Sequence, residues 1–285
     1  MKNGIRFCDA AALMQHGCIY EEKDGIGIFR AKSLAAFPEI RHGFTARKGG
    51  VSAPPFDTLN LRLGRSDNEA NVRENFRRLC AREDLDENSL TIVSFEHGST
   101  VLRVDARHRG SGYNRPFLPT CDGIVTNDPA VTLVTDHADC GCIFLYDPEH
   151  RAVGLAHAGW KGTLGRIGGN LVRLMQKEFG SDPRALVAST GPCICQKCYE
   201  VDEALALRFA EEFETDECSY PDGPGKARLS LETAAAIQLL DAGILPENIT
   251  LMEMCTYENP KTLFSHRRDK NGTGDMAGFI KITKI

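Results

Sequence analysis

Three residues in this chain carry side chains able to hold a soft or borderline metal ion, and each stands beside small residues at the end of an apolar run. They are His97 in Glu96-His97-Gly98, Cys140 in Ala138-Asp139-Cys140, and His157 in Leu155-Ala156-His157-Ala158-Gly159. Two imidazoles and one thiolate fill three of four tetrahedral positions. A set with one position left open marks a catalytic zinc rather than a structural one. At such a zinc a bound water falls to a pKa near ~7 and becomes a usable nucleophile. The same residues permit a metal-free chemistry, in which Cys140 is a thiolate nucleophile activated by His157. Residue types and spacing do not separate the two.

The elements that must position these groups are readable around them. Ala152 to Ala156 form a short apolar run that reads as a buried strand. Leu164, Ile167, Leu171, Leu174, Met175 and Phe179 then recur at the three- and four-residue steps of an amphipathic helix. His157 is thus expected at a strand-to-helix turn, with Gly159 and Gly162 letting backbone N–H groups approach an anion at the helix start. Trp160, the only tryptophan, is read as packing under that turn. Strands are predicted over 91–95, 122–126, 131–135, 142–146 and 279–282. Helices are predicted from Asp67, as N-cap, through Cys80, over 201–213, and over 230–242 with Gly243 as the stop. Residues 1–40, with Ile5-Arg6-Phe7 and Gly25 to Phe29 as apolar pieces, fit strands or a hairpin at a sheet edge. The polar stretch 103–119, rich in Arg and Gly, reads as a candidate lid.

Around this core stand groups suited to anions and protons. Arg47 precedes a Gly-Gly turn, Lys161 lies just after His157, and Arg267 belongs to the Ser265-His266-Arg267-Arg268-Asp269 stretch; with Asn60 they are the candidates for holding substrate and phosphate. Asp139, His266 and Glu96 are candidates for proton transfer. Lys270 to Asp275 reads as a turn. Cys193, Cys195 and Cys198 place three thiols within six positions, like a metal knuckle. Closed structural zinc sites draw on two close-spaced ligand pairs, and nothing downstream of Cys198 supplies the second, so these are read as buried free thiols.

Composition narrows the classes. The 285 residues, 42% hydrophobic and 26% charged, are ordinary globular material, and a single domain over 1–285 is expected. A formal charge of −5 with no Lys/Arg cluster gives no reason to expect a nucleic-acid partner, and no apolar stretch approaches the roughly 20 residues of a membrane span. With no signal-peptide pattern and an odd number of cysteines, 11, the protein is expected to be cytoplasmic with reduced thiols, as a monomer or homodimer.

Glu-His-Gly at 96–98, Ala-Asp-Cys at 138–140, His-Ala-Gly-Trp-Lys-Gly at 157–162, Gly-Pro at 191–192 with Tyr-Glu-Val at 199–201, and Ser-His-Arg-Arg-Asp at 265–269 together resemble the laccase-domain, or multicopper polyphenol oxidase-like, family. Thr-Ala-Arg-Lys-Gly-Gly-Val-Ser at 45–52 and Leu-Asn-Leu at 59–61 extend the match from about residue 40 to the C-terminus. The resemblance implies an α+β fold with mixed sheets layered between helices. It also implies a purine nucleoside phosphorylase that acts on adenosine, inosine, guanosine or methylthioadenosine and deaminates adenosine, with zinc on His97, Cys140 and His157. It keeps a cysteine hydrolase, or an editing factor for cell-wall precursors, as alternatives. The chain departs from the family pattern at Glu96, where glutamine is usual, and at His266, where tyrosine is frequent. Copper oxidase chemistry is disfavoured because multicopper sites need about ten histidines, largely in His-x-His pairs, and this chain has eight and no such pair.

Overall fold

Along the strand Gly141–Asp147 every residue is buried, yet alternate side chains enter different cores: Ile143 and Leu145 face one way, Phe144 and Tyr146 the other. A strand buried on both faces lies inside a layered stack, and a computed structural model, which describes residues 6–270 and 272–283, shows the stack to be α+β with four layers. The seven-stranded sheet has the order Gln15–His16, Ile249–Leu251, Val187–Thr190, Gly141–Asp147, Ala152–Ala158, Gly123–Thr126, Val101–Arg103. The six-stranded sheet has the order Cys18–Lys23, Ile26–Ala31, Ile40–Thr45, Met276–Ile282, Thr132–His137, Leu90–Ile92. Both mix parallel and antiparallel pairs.

Phe29, Phe44, Leu133 and Ile280 of the second sheet pack on Ile124, Phe144, Val153 and Leu155 of the first. Helices Ile167–Phe179 and Leu231–Asp241 cover the outer face of the first, with Leu171, Met175 and Leu239 against Val125, Ile143 and Ala156. Helix Glu69–Glu83 covers the outer face of the second through Val72, Phe76 and Leu79. Because Val153 and Leu155 point between the sheets, the period-2 rule points His157 there too, at the end of the sandwich. A three-stranded sheet, Glu200–Asp202, Lys226–Leu229 and Ser219–Pro221, packs with helix Glu203–Phe213 beside it.

Several expectations change in detail. The edge hairpin is Cys18–Lys23 with Ile26–Ala31, turned by Asp24-Gly25 at φ 54° and 76°, a pair suited to that left-handed geometry. Phe7–Ala11 is a short helix instead of a strand, while Ile5, like Asn271 in the C-terminal turn, lies outside the described residues. The N-cap of helix Glu69–Glu83 is Asn68, whose side chain accepts from the Ala70 amide. Asp67 instead accepts from Ser52 Oγ at 2.6 Å and Asn60 Nδ2 at 2.9 Å. The helix after His157 is two pieces, Trp160–Leu164 and Ile167–Phe179. They are broken at Arg166, which takes φ 57° and pairs with Glu212 and Asp241. The lid is no lid: Gly110 N donates to Leu90 O, Ile92 N to Ser111 O, and Tyr113 lies edge-on to Phe76. These bonds dock most of the segment on the strand and helix behind it, leaving Phe117 exposed in a shallow groove beside Phe95. No helix among the described residues is long and apolar enough to cross a membrane.

Candidate metal centre and its pocket

His97, Cys140 and His157 converge: one ligand atom from each lies within 4.8 Å of the other two. One comes from a strand and two from the segments between strands. His157 is the sixth residue of Ala152–Ala158 and fully buried, so the sheet fixes it rather than a turn. His97 and the residue before Cys140, Asp139, adopt left-handed backbone, φ 64° and 89°. Non-glycine residues there cost about 1–3 kcal/mol each and cluster at functional sites.

What holds Asp139 in that conformation is visible. Its carboxylate accepts from Thr256 Oγ1 at 2.5 Å and from the Arg267 amide at 2.6 Å, and its carbonyl from the Ile194 amide at 3.0 Å. Asp139 is therefore a positioning residue for Cys140, and its carboxylate is already engaged away from the pocket, contrary to the proton-transfer role expected of it.

Asp122 orients the second imidazole. Its carboxylate stands 3.3 Å from His157 Nδ1 and accepts from the Gly98 amide at 2.8 Å, and its carbonyl accepts from the His157 amide at 2.7 Å. A proton held on Nδ1 by a carboxylate leaves the other ring nitrogen free to ligate. Phe95 stacks on His157 at 3.9 Å, which fixes the ring plane.

Burial opposes charge on Cys140, but His157 and His97 outweigh it and bring the thiol down to about 6. Burial likewise works against protonated His157, and Cys140 with Asp122 overcomes it and raises the imidazole to about 9. The pocket thus favours thiolate beside positive charge. Donor chemistry, convergence and an orienting carboxylate all fit a borderline cation on these three residues. So does Gly159: a Cβ there would lie 2.9 Å from His97 Cδ2 and 3.2 Å from Cys140 Sγ.

Above the three residues opens a cleft of about 470 Å³, within the roughly 300–1,000 Å³ of small-molecule sites. His266 lines it, as expected. Its remaining polar wall was not singled out from the sequence: Arg62, Arg65 and Lys270 supply positive charge, Asp136 and Asp275 carboxylates. Arg62 is braced on both sides, its guanidinium bonded to Asp136 and lying 4.4 Å over the Phe95 ring. Burial and the neighbouring Asp136 push Asp275 up to about 7, against the pull of Arg62 and Arg65. Strand pairing makes this pair, because Ala277 is in register with Asp136. A larger hollow near Arg77, Cys80 and Tyr113, about 600 Å³, holds none of the three converging residues.

Four of the expected anion or substrate ligands lie elsewhere. Arg47 donates to the carbonyls of Asp57 at 3.0 Å and Pro260 at 2.8 Å and stands over Phe264, stapling a loop. Asn60 is buried and accepts from the amides of Arg62 at 3.2 Å and Asp275 at 2.9 Å, so it positions the pocket's walls rather than touching its contents. Lys161 is exposed and directed to Trp160. Arg267 donates to Glu200 O at 2.9 Å and lies over Tyr199. Glu96 is exposed and outside the cleft lining. Gly162 serves packing, not an anion: a Cβ there would meet the Gly98 carbonyl oxygen at 2.4 Å. Trp160 packs beside the Phe209 and Phe213 cluster.

A four-layer α+β sandwich with a His-Cys-His floor at its open end defines a class, that of laccase-domain proteins. Residues 41–283 match the model of the family described as multi-copper polyphenol oxidoreductase laccase, and the chain belongs to that family. Among its relatives is purine nucleoside phosphorylase YlmD of Bacillus subtilis, 36% identical over 246 residues that span 85% of this chain and 88% of that one. Another is a purine nucleoside phosphorylase of Deinococcus radiodurans, 35% identical over 260 residues, 91% of this chain and 94% of the relative. The fold matches the crystal structure of YlmD from Geobacillus stearothermophilus with TM-score 0.88 and 32% identity, over 94% of this chain and all of that one. It matches the hypothetical protein YfiH of Bacillus licheniformis with TM-score 0.86 and 30% identity, over 93% and 99% of the two chains.

Proposed function

We propose that this chain is a zinc-dependent purine nucleoside phosphorylase that also deaminates adenosine. The observation that carries the reading is Arg62, braced between Asp136 and Phe95 and facing the His97–Cys140–His157 floor in one cleft. The relatives named purine nucleoside phosphorylase support it.

Phosphorolysis moves the electron pair of the bond between ribose C1′ and the purine onto the base, while a phosphate oxygen bonds C1′. Arg62, with Arg65 and Lys270, holds phosphate; a guanidinium already fixed by its own carboxylate loses little freedom on binding an anion. The departing purine takes a proton from Asp275, whose carboxyl, held up at about 7, still carries one near neutral pH. His266, exposed at the cleft's edge, is the second proton carrier. Zinc, when bound, would be held by His97, Cys140 and His157 and would supply Lewis-acid chemistry to the cleft. In deamination a water oxygen bonds purine C6 as the C6–N bond breaks, and Asp275 or His266 gives the departing amine the proton with which it leaves as ammonia. Nothing in the cleft requires a nucleic acid or a membrane; its partners are nucleoside and phosphate.

The test is incubation with adenosine in the presence and absence of phosphate, with products separated by chromatography. Adenine with ribose 1-phosphate appears only with phosphate, and inosine appears in both. Absence of all three products sinks the reading. A second reading, a cysteine hydrolase, is favoured by the Cys140 thiolate beside protonated His157; it requires that iodoacetamide abolish turnover and that strong chelators leave it intact.

A further inference from the structure

Among the described residues, one other cluster besides the pocket floor gathers metal-ligating side chains: Cys195, Cys198, Cys255 and Glu258, one ligand atom from each lying within 4.8 Å of the rest. We propose that these four residues bind a second, structural zinc ion that ties the 193–198 loop to the 255–258 segment. The inference is independent of the reaction in the cleft.

Cys195 caps the short turn Gln196–Cys198, in which the amides of Cys198 and Tyr199 both donate to Cys195 O at 3.0 Å. That turn presents two thiols in the Cys-x-x-Cys spacing of structural zinc sites. The rest comes from a segment 57 residues beyond Cys198. An isolated bridge pairs Cys193 with Cys255: the Cys193 amide donates to Met254 O at 3.1 Å and the Thr256 amide to Cys193 O at 3.0 Å. Cys193 is thus turned into the core, 5% exposed, and Cys255, not Cys193, joins Cys195 and Cys198 in the cluster. The expectation that no downstream ligand exists is thus corrected by chain pairing rather than by spacing.

Two contacts shape the cluster as a ligand set. The Cys195 amide donates to Cys255 Sγ at 3.4 Å, and Cys195 Sγ stands 3.9 Å from Glu258 Oε2. Around a tetrahedral zinc with Zn–S near 2.3 Å, neighbouring sulfurs stand about 3.8 Å apart, so only small closing movements are needed. Asn259 Nδ2 holds the Cys255 carbonyl at 2.7 Å and fixes the turn that carries Glu258. All four positions are filled by protein, as in a closed site. None of these cysteines is in a disulfide.

The clamp reaches the pocket through Asp139. Ile194, between the knuckle cysteines, donates to the Asp139 carbonyl, and Thr256, next to Cys255, to its carboxylate. Joining the two segments fixes the residue that presents Cys140.

Zinc per chain, measured by elemental mass spectrometry on protein purified without chelator, tests this. The full chain is expected to hold about two, Cys140→Ala about one, Cys198→Ser about one, and the double variant none. Should Cys198→Ser fail to fold, cobalt substituted into Cys140→Ala gives a second readout, an intense near-ultraviolet thiolate-to-cobalt band with tetrahedral visible bands. A full chain holding a single zinc that Cys140→Ala removes, or a Cys140→Ala protein with cobalt but no such band, overturns the proposal. So does a zinc content that Cys198→Ser leaves unchanged.

Discussion

The two thiol-bearing clusters gather similar side chains in different settings. His97, Cys140 and His157 are three residues on a floor beneath a cleft of about 470 Å³, whereas Cys195, Cys198, Cys255 and Glu258 are four residues drawn from two loops. Three ligands under a cavity leave room for substrate; four ligands satisfy a tetrahedral ion with nothing left over. The difference also lies in support. A fully buried carboxylate, Asp122, orients His157, and the strained Asp139 is held at three points, so the floor is braced from behind. The loop cluster has only amide bonds and one asparagine, and it gains its rigidity from the ion it is proposed to hold.

If the floor and its walls are the reactive part of that contrast, the largest effect falls on a wall residue. Asp275→Asn is expected to lower kcat for phosphorolysis by about 10²–10⁴, the typical worth of a general acid; a loss below threefold removes Asp275 from the mechanism. Its pH dependence follows from its value of about 7. The wild-type rate declines as pH rises through 7, because the acid loses its proton. Stability has the same sign: the folded value is raised above the unfolded one near 3.9, so the contribution is complete below about pH 4 and lost as pH rises through about 7. Asp275→Asn is therefore more stable than wild type at pH 8, by about 4 kcal/mol in urea unfolding, and equal to it at pH 4.

Asp122→Asn comes next. Weakened orientation of His157 is expected to reduce zinc affinity of the floor by about 10–100-fold and leave the loop cluster's ion in place, read by competition with a chromophoric chelator. Equal loss from both would erase the distinction between them. Gly162→Ala drives a Cβ to 2.4 Å from the Gly98 carbonyl and is expected to cost about 1–3 kcal/mol in urea unfolding, an overpacking cost. Lys161→Ala should change neither kcat nor KM and shift stability by less than about 0.5 kcal/mol, since Lys161 is exposed and lines no part of the cleft. A tenfold rise in KM for phosphate would return it to the site.

How much of this was legible follows the range of each signal. The strand carrying His157 and the strand that follows Cys140 announce themselves by apolar runs and glycines within a few residues, whereas the layered α+β architecture was what the family resemblance implied. Arg62, Asp136 and Asp275 gave no local sign. Arg62 directly follows Leu59-Asn60-Leu61 and Asp275 closes a turn, yet Asp275 reaches the cleft through pairing of Met276–Ile282 with distant strands, and Arg62 through its neighbours' bonds to Asp275, Leu61 N to Asp275 O and Asp275 N to Asn60 Oδ1. Arg47 and Arg267 show the converse limit. Residue type suggested anion binding, but a side chain's direction is set by tertiary contacts, and both guanidiniums are spent on backbone carbonyls. Cys255 was hidden for the same reason as Asp275, since its partners lie far away in sequence.

The most direct measurement is release of hypoxanthine from inosine by wild type and by Cys140→Ala, each with and without phosphate. Release that requires phosphate, yields ribose 1-phosphate in equal amount, and falls at least a thousandfold in Cys140→Ala is the predicted result. Release that proceeds equally without phosphate, or that Cys140→Ala sustains at the wild-type rate, contradicts the account.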